Sequence, residues 1–308
     1  MDGDVVNGPL RSLLIGDVSH YPSEFIFGVG QGMTLLGHFH STVDIRTGPA
    51  TIWQRVEQVQ PNVIWGHMLL WSPLGDTDTL LNICEQAKRR WDTRVIIHDG
   101  DARAQTRYPV DVRYAVDLAL CNHTASRAEW GVKQLRWPYG AFVQSGIAKY
   151  SKDFGCELVF AGRLGDSAMY HDRTQTLLAL HERLGARFRM FPTDDIKHTL
   201  MRTPEIAASA DAVLGWGRPE SPGWTDVRVF QYPGAGGILL HDDASEWLDP
   251  WREYVPIATR GNVGAIMAAL DFARGNFGHL ARSGILARIQ RDHSMLVRVR
   301  QALAEADL

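Results

Sequence analysis

The sequence predicts an α/β protein of two successive domains, each a parallel β-sheet covered by helices. Three observations carry that prediction. The chain has 308 residues, more than one hydrophobic core usually organises. Short β-rich runs alternate with helix-periodic stretches along almost all of it. Near the middle, the turn-rich stretch PYGAFVQSGIAKYSKDF over residues 138–154 breaks the alternation and reads as a linker. The expected division is an N-terminal domain over 1–148, a second domain over 149–278, and a C-terminal helix over 279–308 able to pack back on the first.

In the first half, SLLIGDVS over 12–19 reads as a buried strand and 24–36 as a helix. Strands follow at 42–46, 63–68 and 94–98, the last preceded by a helix with Leu80, Leu81, Cys84 and Ala87 on its apolar side. VDLALC over 116–121 is a further strand, 126–130 a short helix and 133–137 a strand. A second series begins with a strand at 157–162 and a helix over 173–184, with Leu177, Leu178, His181 and Leu184 expected on one face. Then come a strand at 187–191, a short helix at 204–209, a strand at 212–215, a helix from 228 to 232, a strand at 237–241 and a helix at 263–274. Ile285, Ile289, Leu296, Val299 and Leu303 are spaced as one amphipathic helix, its polar side holding Arg282, Arg288, Arg291, Arg298 and Arg300.

Hydrophobic residues make up 45% of the chain and charged residues 22%, which excludes a disordered polymer. A net charge of −3 argues against a protein wrapped in nucleic acid, though not against a local basic patch. The three cysteines, Cys84, Cys121 and Cys156, form neither a disulfide framework nor a metal knuckle. No apolar run reaches the roughly 18 residues that span a bilayer, and the first residues lack a secretion signal. The expectation is a cytoplasmic protein without a membrane span.

Four constellations carry the chemistry. In LVFAGRLGDSAMYHDR, residues 158–173, a strand ends at Gly162, Arg163 follows at once, and a polar loop leads into a helix. A close backbone, a helix N-terminus and a guanidinium are what a phosphate requires; a tight turn with a solvated arginine is the plainer alternative. In GWTDVRVFQYPGAGGILL, residues 223–240, Asp226, Arg228 and Gln231 precede a glycine-rich turn. They suit ribose, sugar or phosphate, or the glycines serve packing alone. In VIIHDGDAR, residues 95–103, His98, Asp99 and Asp101 stand at a strand end, where such sheets place catalytic groups. No further ligand lies at metal spacing, so no metal site is assigned; a capped loop with no catalytic role is the plainer alternative. GVGQGM, residues 28–33, lacks the third glycine of a dinucleotide fingerprint and sits inside a helix. Close packing of the helix on the sheet, or a backbone lining the cleft, is the better reading. Of the tryptophans, Trp65, Trp71, Trp130 and Trp137 read as core or cleft wall, and Trp216 and Trp224 flank the second constellation.

In this order the motifs resemble the group 1 glycosyltransferases of GT-B fold, nearest the branch that includes the spore-maturation protein CgeB. VDLALCNHTASRAEWGVKQLRWPYG is similar to the end of that family's first domain and LVFAGRL to the opening strand of its donor domain. Arg173 with its leucine-rich helix, and DVRVFQYPGAGGILL, resemble two further donor-domain elements; the likeness covers about residues 115–273. It implies two Rossmann-like domains facing a central cleft. Arg163 and Arg228 would face the donor diphosphate, Gly236 and Gly237 the sugar or phosphates, and His98 and Asp99 the reacting centre. Where the family has a ribose-binding glutamate this chain has Gln231, and the partner acid falls on Gly223.

The activity implied is metal-independent transfer of a sugar from a nucleotide-sugar co-substrate, a UDP-sugar, to a hydroxyl acceptor, with no cofactor required. The acceptor is a glycan, a small molecule or a modified DNA base. The arginine-rich last helix motivates the alternative of a viral-type enzyme glycosylating hydroxymethylated DNA bases. Gln231 and Gly223 motivate that of a non-catalytic sugar-nucleotide or glycan-binding protein. Substitution of Arg163 or Arg228 by alanine is expected to abolish transfer with stability nearly unchanged.

Overall fold

The computed structural model describes residues 8–18, 24–67, 77–99, 112–121, 131–138, 140–144, 146–162, 171–192, 196–216, 228–241, 254–259 and 261–308. In chain order its elements begin with β1 (Arg11–Gly16), α1 (Glu24–Leu35), β2 (Phe39–Asp44), α2 (Pro49–Val59), β3 (Val63–His67), α3 (Thr77–Trp91), β4 (Arg94–Asp99), β5 (Leu118–Cys121) and β6 (Lys133–Arg136). They continue with β7 (Cys156–Gly162), α4 (His171–Leu184), β8 (Phe188–Pro192), α5 (Ile196–Ser209), β9 (Ala210–Leu214), α6 (Arg228–Gln231) and β10 (Leu239–Leu240). The last three helices are α7 (Val263–Asn276), α8 (His279–His293) and α9 (Met295–Glu305). The chain divides into two compact units, Met1–Tyr139 with Met295–Leu308, and Gly140–Ser294.

The first unit holds a six-stranded sheet in the order β2-β1-β3-β4-β5-β6, with every neighbouring pair parallel. β3 and β5 are buried along their whole length, as continuous apolar runs in a sheet covered on both faces must be. Leu80, Leu81, Cys84 and Ala87 of α3 are buried as the periodicity predicts, and Lys88, Arg89 and Arg90 occupy its last turn, favourable to the helix dipole. Lys88 pairs with Asp117 at 2.7 Å, and the same carboxylate accepts from the Val95 amide, which fixes α3 to the start of β4.

The glycines of 28–33 lie in α1, Gly28 and Gly32 against α9 and Gly30 against His40. A Cβ on Gly28 would stand 2.5 Å from Met295 Cε, and one on Gly32 would stand 2.7 Å from Val299 Cγ2. They let two helices approach closely, so this motif is a packing device. Trp137, fully buried, donates from Nε1 to the carbonyl of Arg298 at 2.8 Å and joins α9 to the end of β6.

The second unit holds a four-stranded parallel sheet in the order β10-β9-β7-β8. Its core gathers Leu158, Val159 and Phe160 of β7, Leu177 and Leu180 of α4, Val213 and Leu214 of β9, and Ile285 and Ile289 of α8. Among the described residues no helix is long and apolar enough to cross a membrane.

Three sequence expectations change. On α4 the buried stripe is Thr176, Leu177, Leu180 and Leu184, while Leu178 and His181 are exposed, because successive residues turn by about 100°. The helix expected from Pro204 begins at Ile196, with Pro204 inside it; proline favours a first turn, but the preceding chain is helical regardless. The single last helix is two. Ser294 takes an extended conformation (φ −71°, ψ 161°) and resets the helical phase. Arg298, expected on the polar side, is therefore buried, and Leu296 is only half-buried. The expected helix at 126–130 lies outside the described residues, as do Trp71, Trp130 and Trp224.

Candidate functional site

In the second unit β8 lies to one side of β7 and β9 to the other, so the sheet order reverses between β7 and β9. Ligands of open parallel sheets bind beyond the carboxyl ends of strands at such a switch point. Gly162 ends β7 there, and Gly215 and Trp216 follow β9.

Two predicted arginines meet at this edge. Arg228, the first residue of α6, reaches back to β7 and donates from Nε and Nη2 to the Ala161 carbonyl at 3.0 and 2.8 Å. Its guanidinium carbon lies 5.7 Å from the centre of the Phe160 ring, and that of Arg173, in the first turn of α4, lies 5.5 Å from the same ring. Gly162 is required by this arrangement, since a Cβ on it would come within 2.6 Å of Arg228 Nη2. α4 begins at His171, and a helix N-terminus favours an anion. Arg163 and Asp226 lie outside the described residues.

The rest of the glycine-rich motif faces the unit's own interior. Gln231 is buried, donates from Nε2 to the Gly140 carbonyl at 3.0 Å and accepts from the Phe142 amide at 3.3 Å. Gly236 has φ +85°, and a Cβ on it would meet Ile147 at 2.6 Å; one on Gly237 would meet Ala207 at 2.9 Å. The structure thus brings Gly162, Arg173 and Arg228 together and places Gln231, Gly236 and Gly237 against protein.

Sequence reasoning passed over His241, buried at the end of β10 with its ring edge against Gly215. The rule applied to His98, a polar residue at the carboxyl end of a strand, would have found it.

In the first unit the order reverses between β1 and β3, one strand from the predicted His98. The ring of His98 stacks on Phe25 with centroids 4.6 Å apart and on His67 of β3 at 6.0 Å. Burial pushes the His67 imidazole down to about 4, so it is neutral at pH 7. Asp99 is the last residue of β4, in register with Cys121, and Asp101 lies outside the described residues. Asp17, unpredicted, follows β1 and is bound by Arg46 at 2.9 Å. No group of three or more His, Cys, Asp or Glu is placed to hold a metal among the described residues.

No protein-family model matches the chain, and no curated protein matches it. Several solved structures do. AviGT4, a glycosyltransferase involved in avilamycin A biosynthesis, superposes with a TM-score of 0.57 at 12% identity, covering 97% of each chain. An alpha-glucosyltransferase in complex with UDP gives 0.61 at 8% identity, covering 92% of this chain and 96% of that one. The alpha-glucosyltransferase with UDP and a 13-mer DNA containing a central A:G mismatch gives 0.57 at 8% identity over the same shares. The CgeB branch rests on the sequence motifs alone. The chain has the fold of the GT-B glycosyltransferases, two parallel α/β units of Rossmann type.

Proposed function

We propose that the protein is a glycosyltransferase that moves a sugar from a nucleotide-sugar donor, UDP-linked, to a hydroxyl acceptor. The observation that carries this reading is the convergence of Arg173 and Arg228 on Phe160, beside Gly162 and the N-terminus of α4, at the switch point of the second sheet. When the bond from the anomeric carbon to the diphosphate breaks, negative charge builds on the departing phosphate. Guanidinium groups and helix amides fixed in advance stabilise that charge. Two arginines supply the compensation a divalent cation would otherwise give, which supports a metal-independent reaction.

The UDP held by the alpha-glucosyltransferase of the same fold supports uridine as the nucleotide. Arg163 and Asp226 remain assigned to the donor, and His98, Asp99 and Asp101 to catalysis at the reacting centre, on the sequence motifs. The free thiols of Cys84, Cys121 and Cys156 fit the reducing cytoplasm.

A thermal-shift panel of UDP, GDP, ADP and their sugars tests the reading. UDP and a UDP-sugar should raise the melting temperature through linkage, and Arg173→Ala and Arg228→Ala should abolish the shift. Wild-type protein that responds to no nucleoside diphosphate would overturn the assignment.

A further inference from the structure

Gln231 and Gln290 together bind the stretch 140–144, the first part of the second unit. Gln231 holds the Gly140 carbonyl and the Phe142 amide. Gln290 of α8 donates from Nε2 to the Phe142 carbonyl at 2.7 Å and accepts from the Gln144 amide at 3.2 Å. The Ala141 amide donates to the His293 carbonyl at 2.9 Å. A primary amide has donor and acceptor side by side as a peptide does, so two glutamines stand where a neighbouring strand would pair.

The clamp extends to the glycine-rich turn. Gln290 Nε2 also donates to the Gly234 carbonyl at 2.8 Å, and a Cβ on Gly234 would overlap that of Ala141. Gln231 shares the single turn of α6 with Arg228. One end of that turn therefore grips the carboxyl edge of β7, and the other grips 140–144. A glutamate at 231 could not do this: an ionised carboxylate has no hydrogen to donate to the Gly140 carbonyl.

We infer that Gln231 is a positioning residue and not a ribose contact: with Gln290 it locks 140–144 to the turn that carries Arg228, so the anion grip and this stretch are held as one piece. The inference rests on the donor-site reading of Arg228.

The test compares Gln231→Leu and Gln290→Leu with wild type in two measurements, amide hydrogen exchange at Phe142 and Gln144, and calorimetric binding of UDP and of inorganic pyrophosphate. Loss of the clamp should speed exchange by at least about tenfold in both variants. It should weaken UDP and pyrophosphate by the same factor, because on the donor-site reading Arg228 would meet the phosphates that both ligands carry. A Gln231→Leu protein that loses UDP affinity while pyrophosphate binding and exchange stay at wild-type values makes Gln231 a ribose contact and overturns the inference. Should Gln231→Leu not fold, Gln290→Leu removes the clamp from its far end and decides the matter. If wild type binds neither ligand, the donor-site reading falls; unchanged exchange in the variants would then overturn the clamp as well, separately.

Discussion

The guanidinium of Arg228 hangs on the carbonyl oxygen of Ala161, 3.0 Å from Nε and 2.8 Å from Nη2, across 67 residues of chain. The bond closes off the end of β7 and holds a charged group beside Gly162. The side chain is oriented before any ligand arrives, which is what charge stabilisation in a transition state requires.

Arg228→Ala should therefore do two things. UDP affinity should fall by about a hundredfold, the scale of losing charge-assisted hydrogen bonds to a phosphate. Stability should also fall, by about 1 kcal/mol, because the Ala161 carbonyl loses its donors. The sequence alone suggested no stability change. Arg228→Lys keeps the charge without the planar fork and should stay well below wild type. Calorimetry and urea unfolding of the same variants measure both effects.

The glycines of α1 should rank by what they face. A methyl on Gly28 meets the flexible Met295 side chain, whereas one on Gly32 meets the branched Val299 at 2.7 Å and the Met295 carbonyl at 3.2 Å. Alanine favours a helix over glycine by about 1 kcal/mol, so Gly28→Ala should be near neutral. Gly32→Ala should cost about 1–3 kcal/mol from overpacking. Val299→Ala should restore part of the Gly32→Ala loss in a double-mutant cycle.

Stability should depend on His67 in acid. Its folded value, about 4, lies below the 6.5 of an exposed imidazole, so the unfolded state binds the proton more readily. The contribution is complete above pH 6.5 and is lost as pH falls towards 4, by about 1.4 kcal/mol per unit. Half-buried His40 acts in the same direction. Urea midpoints of His67→Phe between pH 7 and about 4.5 should fall less steeply than those of wild type; parallel curves would contradict the shift.

The arginines of α8 and α9 should not bind DNA as a face. Arg282 caps the Ala210 and Asp211 carbonyls at 3.2 and 2.7 Å, Arg288 lies over Tyr254, Arg291 pairs with Asp292, and Arg298 is buried. Arg282→Ala should lower stability by about 1–2 kcal/mol and leave duplex binding at low salt unchanged. A steep salt dependence in wild type that the variant loses would revive a DNA acceptor.

Much of this edge of the second sheet was legible because it follows from local pattern. A strand that ends in Gly162 before a helix, and an arginine opening the next motif, mark a sheet's carboxyl edge whatever the partners are. Arg228 stands out that way, and Arg173 through the resemblance of its leucine-rich helix. His98 was found by the same rule, but its stacking on Phe25 depends on α1, far off in the chain. Asp17 and His67 were missed because the switch point of the first sheet is a matter of strand order.

The sequence by itself determined two parallel α/β units, since strands buried on both faces are written as continuous apolar runs and helices as a 3.6-residue period. Only the tertiary structure decided what the signature residues touch. Gln231 meets Gly140 across 91 residues, Gly32 meets Val299 on another helix, and Ser294 breaks a periodicity that looked continuous. Periodicity reports which way a side chain points along its own element; the partner it finds there is set by how distant elements pack.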